Sequence, residues 1–318
     1  MREVTAPNGA ACVIGNFDGV HRGHQAVLEA LSELAAAREL APKLLTFEPH
    51  PAVTLGRAAP ALLTRLPRKV ELCRRHCPGL EVVAQPFTTE FALLSPEAFA
   101  EQVLRDELDA RLIMVGRDFR FGHRRAGGFA ELVSLGKALG FDAVGEPLVG
   151  DADGVISSTR VRALLAAGQL DAVRALLGRP HMLSGRVARG AERGRTLGFP
   201  TCNLEGIAEA LPPYGVYAVL VDLASDAGVR RLARGVANVG LRPTIAEAKA
   251  APFVEVHLFD FAGDLYGAGL CVHLWAALRP EQRFASLDEL RRQIERDARA
   301  ARDALAAAPA AGGDAPWF

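Results

Sequence analysis

The sequence predicts an α/β domain followed by a β domain: a doubly wound parallel sheet, then a small antiparallel β-barrel closed off by a C-terminal helix. Three observations predict this. Short apolar runs alternate with helical periodicities up to about residue 180, as in parallel sheets covered by helices. Beyond that point the texture becomes short alternating runs with frequent glycine, such as GVYAVLVDL and FVEVHLFDF, which suits a barrel. A length of 318 residues is also comfortable for two cores and long for one.

Composition narrows the partners. Hydrophobic residues make up 50% and charged residues 23%, the balance of an ordinary folded protein. With 37 basic and 37 acidic side chains there is no global field to gather a polyanion, so we expect a small substrate and no nucleic acid. No run approaches the roughly 18 apolar residues that span a bilayer, so no membrane is expected and the cytoplasm is the expected compartment. Five cysteines spread over the chain fit reduced thiols. Cys73 and Cys77, with His76 between them, form half a zinc pattern that no second pair completes, so a helix end is expected there.

The first strand is Ala11, Cys12, Val13 and Ile14, and it turns through Gly15, Phe17, Asp18 and Gly19. Val27, Leu31 and Leu34 share one face of the helix that follows, which places His21, Gly23 and His24 in its first turn. Free backbone N–H groups and the helix dipole favour an anion there, and glycine between the histidines leaves room for a ligand. A second strand, KLLTF at 43–47, runs into Glu48, Pro49, His50 and Pro51, where the prolines end pairing. Further strands are expected at 80–84 and 112–115, with a helix over 95–108. The loop at 116–128, GRDFRFGHRRAGG, leaves the carboxyl end of a strand carrying four arginines among glycines. It reads as a wall around phosphates or a ring, on which Phe119 and Phe121 stack beside Asp118 and Arg120. At 156–162, ISSTRVR, Ser157 or Ser158 caps a helix, while Arg160 and Arg162 oppose the dipole unless an anion compensates them.

A helix over Leu170–Leu177 ends at Gly178, and the boundary is placed near residue 180. In the second half, residues 190–203, GAERGRTLGFPTCN, combine Gly190, Gly194 and Gly198 with Arg193 and Arg195, and Pro200 stiffens the exit. Thr201 and Asn203 offer the oxygen ligands that magnesium accepts, although a plain turn cluster has the same composition. Val254, Val256 and Leu258 alternate with Glu255 and His257, so one strand face presents a carboxylate fit to receive a hydroxyl proton. The last helix starts at Ser286 with a capping box to Glu289 and is expected to pack Leu287, Leu290 and Ile294 on the barrel. Residues 309–318 read as a mobile tail.

The string GNFDGVHRGHQ contains the HxGH pattern of the nucleotidyltransferase superfamily and resembles its branch in the bifunctional riboflavin kinase/FAD synthetase family of bacteria. The TF-x-PHP turn, the G-x-DFRFG loop and the SSTR-x-R helix start resemble the same family in the same order. In the second half GRTLGFPTCN, GVANVG-x-RPT and VEVHLFDFAGDLYG resemble its riboflavin kinase domain. The resemblance implies a Rossmann-like FMN adenylyltransferase domain over 1–180 and a riboflavin kinase barrel over 181–308, using ATP as co-substrate with magnesium. It implies that riboflavin becomes FMN and FMN becomes FAD. Site roles follow from the same resemblance. His21, His24, Ser158, Thr159 and Arg162 meet ATP phosphates, with Gly15, Phe17, Asp18 and Gly23 around them. Asp118, Phe119, Arg120 and Phe121 meet flavin. Gly190, Arg195, Gly198 and Pro200 meet the kinase's ATP, Thr201 and Asn203 its magnesium, and Glu255 is the base. Cys202 stands where the family usually has alanine, and whether this thiol makes the kinase sensitive to oxidants is left open. The alternative is a nucleotidyltransferase for another phosphorylated acceptor with a non-catalytic flavin-binding barrel. Oligomeric state is left open.

Overall fold

The computed structural model describes residues 8–189, 198–225, 228–241, 252–309 and 317–318. Gly190, Arg193, Gly194, Arg195 and the stretch 242–244 therefore lie outside the described residues. The chain forms two compact units, one of residues 1–60 and 64–158, the other of 61–63 and 159–318. This division falls upstream of the change in sequence texture near residue 180.

The first unit runs through β1 (Ala10–Ile14), α1 (Arg22–Ala37), β2 (Ala41–Glu48), α2 (Pro51–Thr54), α3 (Leu66–His76) and β3 (Glu81–Pro86). It continues through α4 (Thr89–Ala92), α5 (Pro96–Ala98), β4 (Ala110–Gly116), α6 (Phe129–Leu139) and β5 (Asp142–Glu146), ending with a small hairpin of β6 (Gly150–Asp151) and β7 (Gly154–Val155). β1 to β5 form one sheet in the order β3-β2-β1-β4-β5, with every pairing parallel. All five residues of β1 are buried because helices cover both faces. Ala10, Cys12 and Ile14 join a core with Phe99, Val103 and Leu132. Ala11 and Val13 point the other way, toward Leu28, Leu31 and Leu72. The order reverses about β1, which leaves a crevice at the carboxyl ends of β1 and β4.

Two elements differ from expectation. β5, DAVGE, is an edge strand with no fully buried residue, so it lacks the apolar run that marks the others. The helix over 95–108 starts as expected, with Ser95 Oγ accepting from Ala98 N at 3.1 Å, but from Phe99 to Glu107 it is a π-helix. Its wider turn shows in Leu108 N donating to Val103 O at 3.0 Å. Cys73 and Cys77 are buried at the end of α3, as a helix end requires.

α7 (Ser158–Ala166) opens on the last residue of the first unit, and α8 (Leu170–Leu177) closes on Gly178 at φ 71°, a left-handed cap suited to glycine. In the second unit β8 (Met182–Ala188), β9 (Cys202–Glu205), β10 (Gly215–Ser225), β11 (Gly228–Leu241), β12 (Pro252–Leu258) and β13 (Gly269–Pro280) make a closed antiparallel barrel in the order β10-β11-β12-β9-β8-β13. The final helix, α9 (Leu287–Ala304), covers the Val216, Ala218, Leu220 and Val236 face with Ala301, and Leu305 just beyond its end joins the same cluster.

Ser286 caps α9 by accepting from Glu289 N at 3.2 Å, as the capping box requires. Leu287 nevertheless does not pack on the barrel. It is 70% exposed in the first turn, while Leu290 and Ile294 are half-buried and the closest packing lies further along, at Asp297, Ala301 and Leu305. The anchor is partly ionic, since Arg279 of β13 donates to Asp297 at 2.8 Å. The mobile tail also needs correction at its end. Trp317 is 4% exposed, its N–H groups donate to Asp222 and to Val221 O, and Asp222 pairs with buried His273 at 2.9 Å. Residues 310–316 lie outside the described residues.

Candidate active sites

The turn after β1 is the most constrained segment of the first unit. Phe17 and Val20 adopt φ of 48° and 40°, a left-handed backbone that costs side-chain-bearing residues energy and concentrates at functional turns. The turn delivers His21 as the N-cap of α1, its Nδ1 accepting from His24 N at 3.3 Å. The two imidazoles stack at 3.7 Å between centroids, and Phe17 stacks on the outer side of His24 at 4.5 Å. Burial, then His21, then Lys69, holds the His24 pKa well below its usual value, so His24 is neutral at pH 7 and presents hydrogen bonds rather than a fixed charge. Its Nδ1 is buried without a hydrogen-bond partner among the described residues.

A Cβ at Gly23 would come within 3.1 Å of His21 Nδ1 and 3.4 Å of Ile156 O, so a side chain there would crowd the helix start. Asp18 is occupied within the fold: its Oδ1 accepts from Thr64 N at 2.9 Å and its carbonyl accepts from Ser158 Oγ at 2.8 Å. Thr159 and Arg162 belong to the second unit, where Arg162 Nε donates to Ala61 O at 2.6 Å. Sequence reasoning missed Lys69, a buried cation on α3 that donates to Thr46 Oγ1 at 3.4 Å. Burial lowers its pKa against the pull of Asp18 and Glu48. Nothing in LPRKVELCRRH marks Arg68 and Lys69 as the basic residues that turn inward.

Beside this turn lies a cleft of about 750 Å³ that Gly15, Asp118, Phe119, Arg120 and Phe121 line, together with Asn16, Phe47, His50, Phe87 and Phe91. That size suits a cofactor-sized ring system. His50 connects the proline turn to β1, its Nε2 lying 3.3 Å from Asn16 Nδ2. Phe47, Phe87 and Phe91 meet edge to face or tilted at 5.5 to 6.0 Å, and Phe119 stacks on Phe121 at 5.6 Å. Phe121 is largely a core residue, pinned over Gly127, where a Cβ would meet its ring at 2.8 Å. Arg124 and Arg125 hold φ of 52° and 59°, so this loop too is strained.

In the second unit, register brings the expected residues into one row. Glu255 on β12 lies directly opposite Asn203 on β9 and, on its other side, opposite Asn238 on β11. Residues opposed in a ladder point to the same face, so the carboxylate stands between two amides. Val254, Val256 and Leu258 are buried on the other face, as the alternation predicts. Gly198, at φ 83°, starts the entry into β9, and His257 Nδ1 lies 2.8 Å from Pro200 O, which fixes Thr201 ahead of the buried Asn203. Cys202 is half-buried, and burial pushes its thiol pKa up. Asn238 was not singled out, and its only signal is one polar residue within the apolar run VANV.

The FAD synthetase family model matches residues 3–160 and the riboflavin kinase model residues 177–305. The bifunctional riboflavin kinase/FMN adenylyltransferase of Escherichia coli (strain K12) is 43% identical over 296 residues, 93% of this chain and 92% of that protein. The protein of the same description from Bacillus subtilis (strain 168) is 35% identical over 291 residues, 89% of each. A crystal structure described as a macrolide-efflux protein from Streptococcus pneumoniae superposes with a TM-score of 0.80 at 28% identity, covering 95% of this chain and 96% of that one.

Proposed function

The chain belongs to the family of bifunctional riboflavin kinases/FMN adenylyltransferases, and from that premise we propose how its residues divide the two reactions. It phosphorylates riboflavin to FMN with ATP, then adenylylates FMN with a second ATP to give FAD and pyrophosphate. Identity of 43% across 93% of the chain carries this conclusion. We assign adenylyl transfer to residues 1–180 and the kinase to 181–308.

In adenylyl transfer an FMN phosphate oxygen attacks the α-phosphorus of ATP, and pyrophosphate leaves without any protein nucleophile. The protein's task is to hold the triphosphate and match charge as it moves to the leaving group. His21 and His24 do this from the first turn of α1, together with its backbone N–H groups. His24 enters neutral and acts as a hydrogen-bonding group, locked by the rings of Phe17 and His21. Ser158, the residue on which α7 opens and the last of the first unit, acts on the phosphates beside the two histidines. The flavin ring occupies the cleft of Asp118, Phe119, Arg120 and Phe121, to which Phe47, Phe87 and Phe91 are added.

In the kinase, Glu255 takes the proton of the ribityl 5′-hydroxyl as the γ-phosphoryl group arrives in line. Gly190, Arg195, Gly198 and Pro200 belong to the ATP-holding segment. The hydroxyl of Thr201 and the amide oxygen of Asn203 fit magnesium, which takes neutral oxygen ligands and completes its shell with water and phosphate. Bound there, the ion would neutralise charge on the triphosphate. No helix among the described residues is long and apolar enough to cross a membrane, and the cytoplasm is the compartment we propose.

Chromatography of a reaction containing riboflavin, ATP and magnesium should show FMN appearing first and FAD after it. Flavin recovered unchanged, alongside adenylylation of some other phosphorylated acceptor, would instead favour a nucleotidyltransferase with a non-catalytic barrel.

A further inference from the structure

We infer that Asn238 on β11 is a substrate-binding residue of the kinase site, taking a hydrogen bond from the polyol hydroxyl next to the one that reacts. The inference rests on the reading of Glu255 as the base. Three observations support it, beginning with register: Asn203, Glu255 and Asn238 are opposed across β9, β12 and β11, so their side chains share one face. Opposed Cβ atoms lie about 4.5–5.5 Å apart, which puts the Asn238 amide within reach of anything the carboxylate touches.

The second observation is an orphaned atom. Asn238 Oδ1 is buried and has no hydrogen-bond partner among the described residues, although the residue as a whole is only half-buried. Leaving a buried amide oxygen unpaired is costly, and such atoms are few in folded proteins. The neighbours in sequence, Val236, Ala237 and Val239, are apolar and buried, so an asparagine whose only task was to fill space would be replaceable by leucine or valine. An aliphatic hydroxyl both donates and accepts, so it pairs with this amide in either orientation.

The third is direction. The nucleotide end of the row is marked by Asn203 and the adjoining segment from Gly198 to Thr201. In-line transfer requires the entering phosphorus on one side of the acceptor oxygen and the rest of the alcohol away from it. With phosphates at the Asn203 end and the proton acceptor in the middle, the carbon chain of the alcohol leads toward Asn238.

The test is steady-state kinetics of FMN formation by the full chain and by Asn238→Ala, varying riboflavin and ATP separately, with Asn238→Ser as a second variant that keeps a hydroxyl. Asn238→Ala should lower kcat/KM for riboflavin by roughly 5- to 10-fold, the loss of one neutral hydrogen bond, with KM for ATP unchanged and Asn238→Ser intermediate. With riboflavin lacking the ribityl 4′-hydroxyl, the variant and the unaltered protein should become equal. Unchanged riboflavin kinetics, or an equal loss toward the deoxy analogue, overturns the inference. Glu255→Gln separates it from its premise: undiminished FMN formation there overturns the base assignment itself. Loss there beside unaltered riboflavin kinetics in Asn238→Ala overturns only the role of Asn238.

Discussion

Burial decides what the histidines of this chain can do. His24, stacked between Phe17 and His21, is desolvated and faces a second imidazole and Lys69, so it sits neutral at pH 7. If this turn holds phosphates, as we propose, it does so through N–H groups and a helix end more than through charge on His24. His181 shows the same physics in the barrel unit, where it can be measured. It is 2% exposed, its Nε2 lies 2.8 Å from Ala210 O, and burial lowers its pKa to about 4 from 6.5. Between those values the unfolded chain binds a proton that the folded chain refuses, so stability present in full above about pH 6.5 is lost as the pH falls toward 4. The slope contributed is at most about 1.4 kcal/mol per pH unit. Both tryptophans, Trp275 and Trp317, lie in the barrel unit and report its unfolding. Urea unfolding followed by their fluorescence should lose stability between pH 7 and 5, and His181→Gln should flatten that loss. An unaltered slope in the variant would refute the assignment to His181.

At the level of elements, α9 shows how a correct helix can present an unexpected face. Its cap was legible because Ser286 and Glu289 are local neighbours. Its docking was not, because it depends on Arg279 of β13 meeting Asp297, a contact only tertiary structure creates. Leu287→Ser should accordingly change stability by less than about 0.5 kcal/mol, while Leu305→Ala should cost about 2–5 kcal/mol through the cavity it leaves. Denaturant midpoints of the two variants check this, and a large loss in Leu287→Ser would contradict the observed packing. The same division runs through the rest of the chain. β1, α1 and the alternation of β12 could be read because apolar period and turn chemistry are written in consecutive residues. The aromatic wall of Phe47, Phe87 and Phe91 could not, since β2 and a stretch far downstream of it supply the rings together. Lys69 and Asn238 escaped for a related reason: an inward-facing polar residue looks like any other until its neighbours are known. β5 escaped because an edge strand needs no apolar run.

At the scale of the whole molecule, two cores of different architecture each support a polyphosphate chemistry. The parallel sheet gathers its residues at strand ends, where turns and helix starts meet. The barrel aligns Asn203, Glu255 and Asn238 across neighbouring strands instead. A formal net charge of zero supplies no field to either, so each site depends on locally placed donors and cations. The division of labour we propose gives the two reactions separate residues. Its most direct test is the rate of FMN and FAD formation by His24→Ala and Glu255→Gln, each supplied in turn with riboflavin and with FMN. His24→Ala should make FMN normally while FAD formation falls by about 100-fold or more, and Glu255→Gln should make FAD from FMN but little FMN from riboflavin. Loss of both activities from either single change in a folded protein would contradict it.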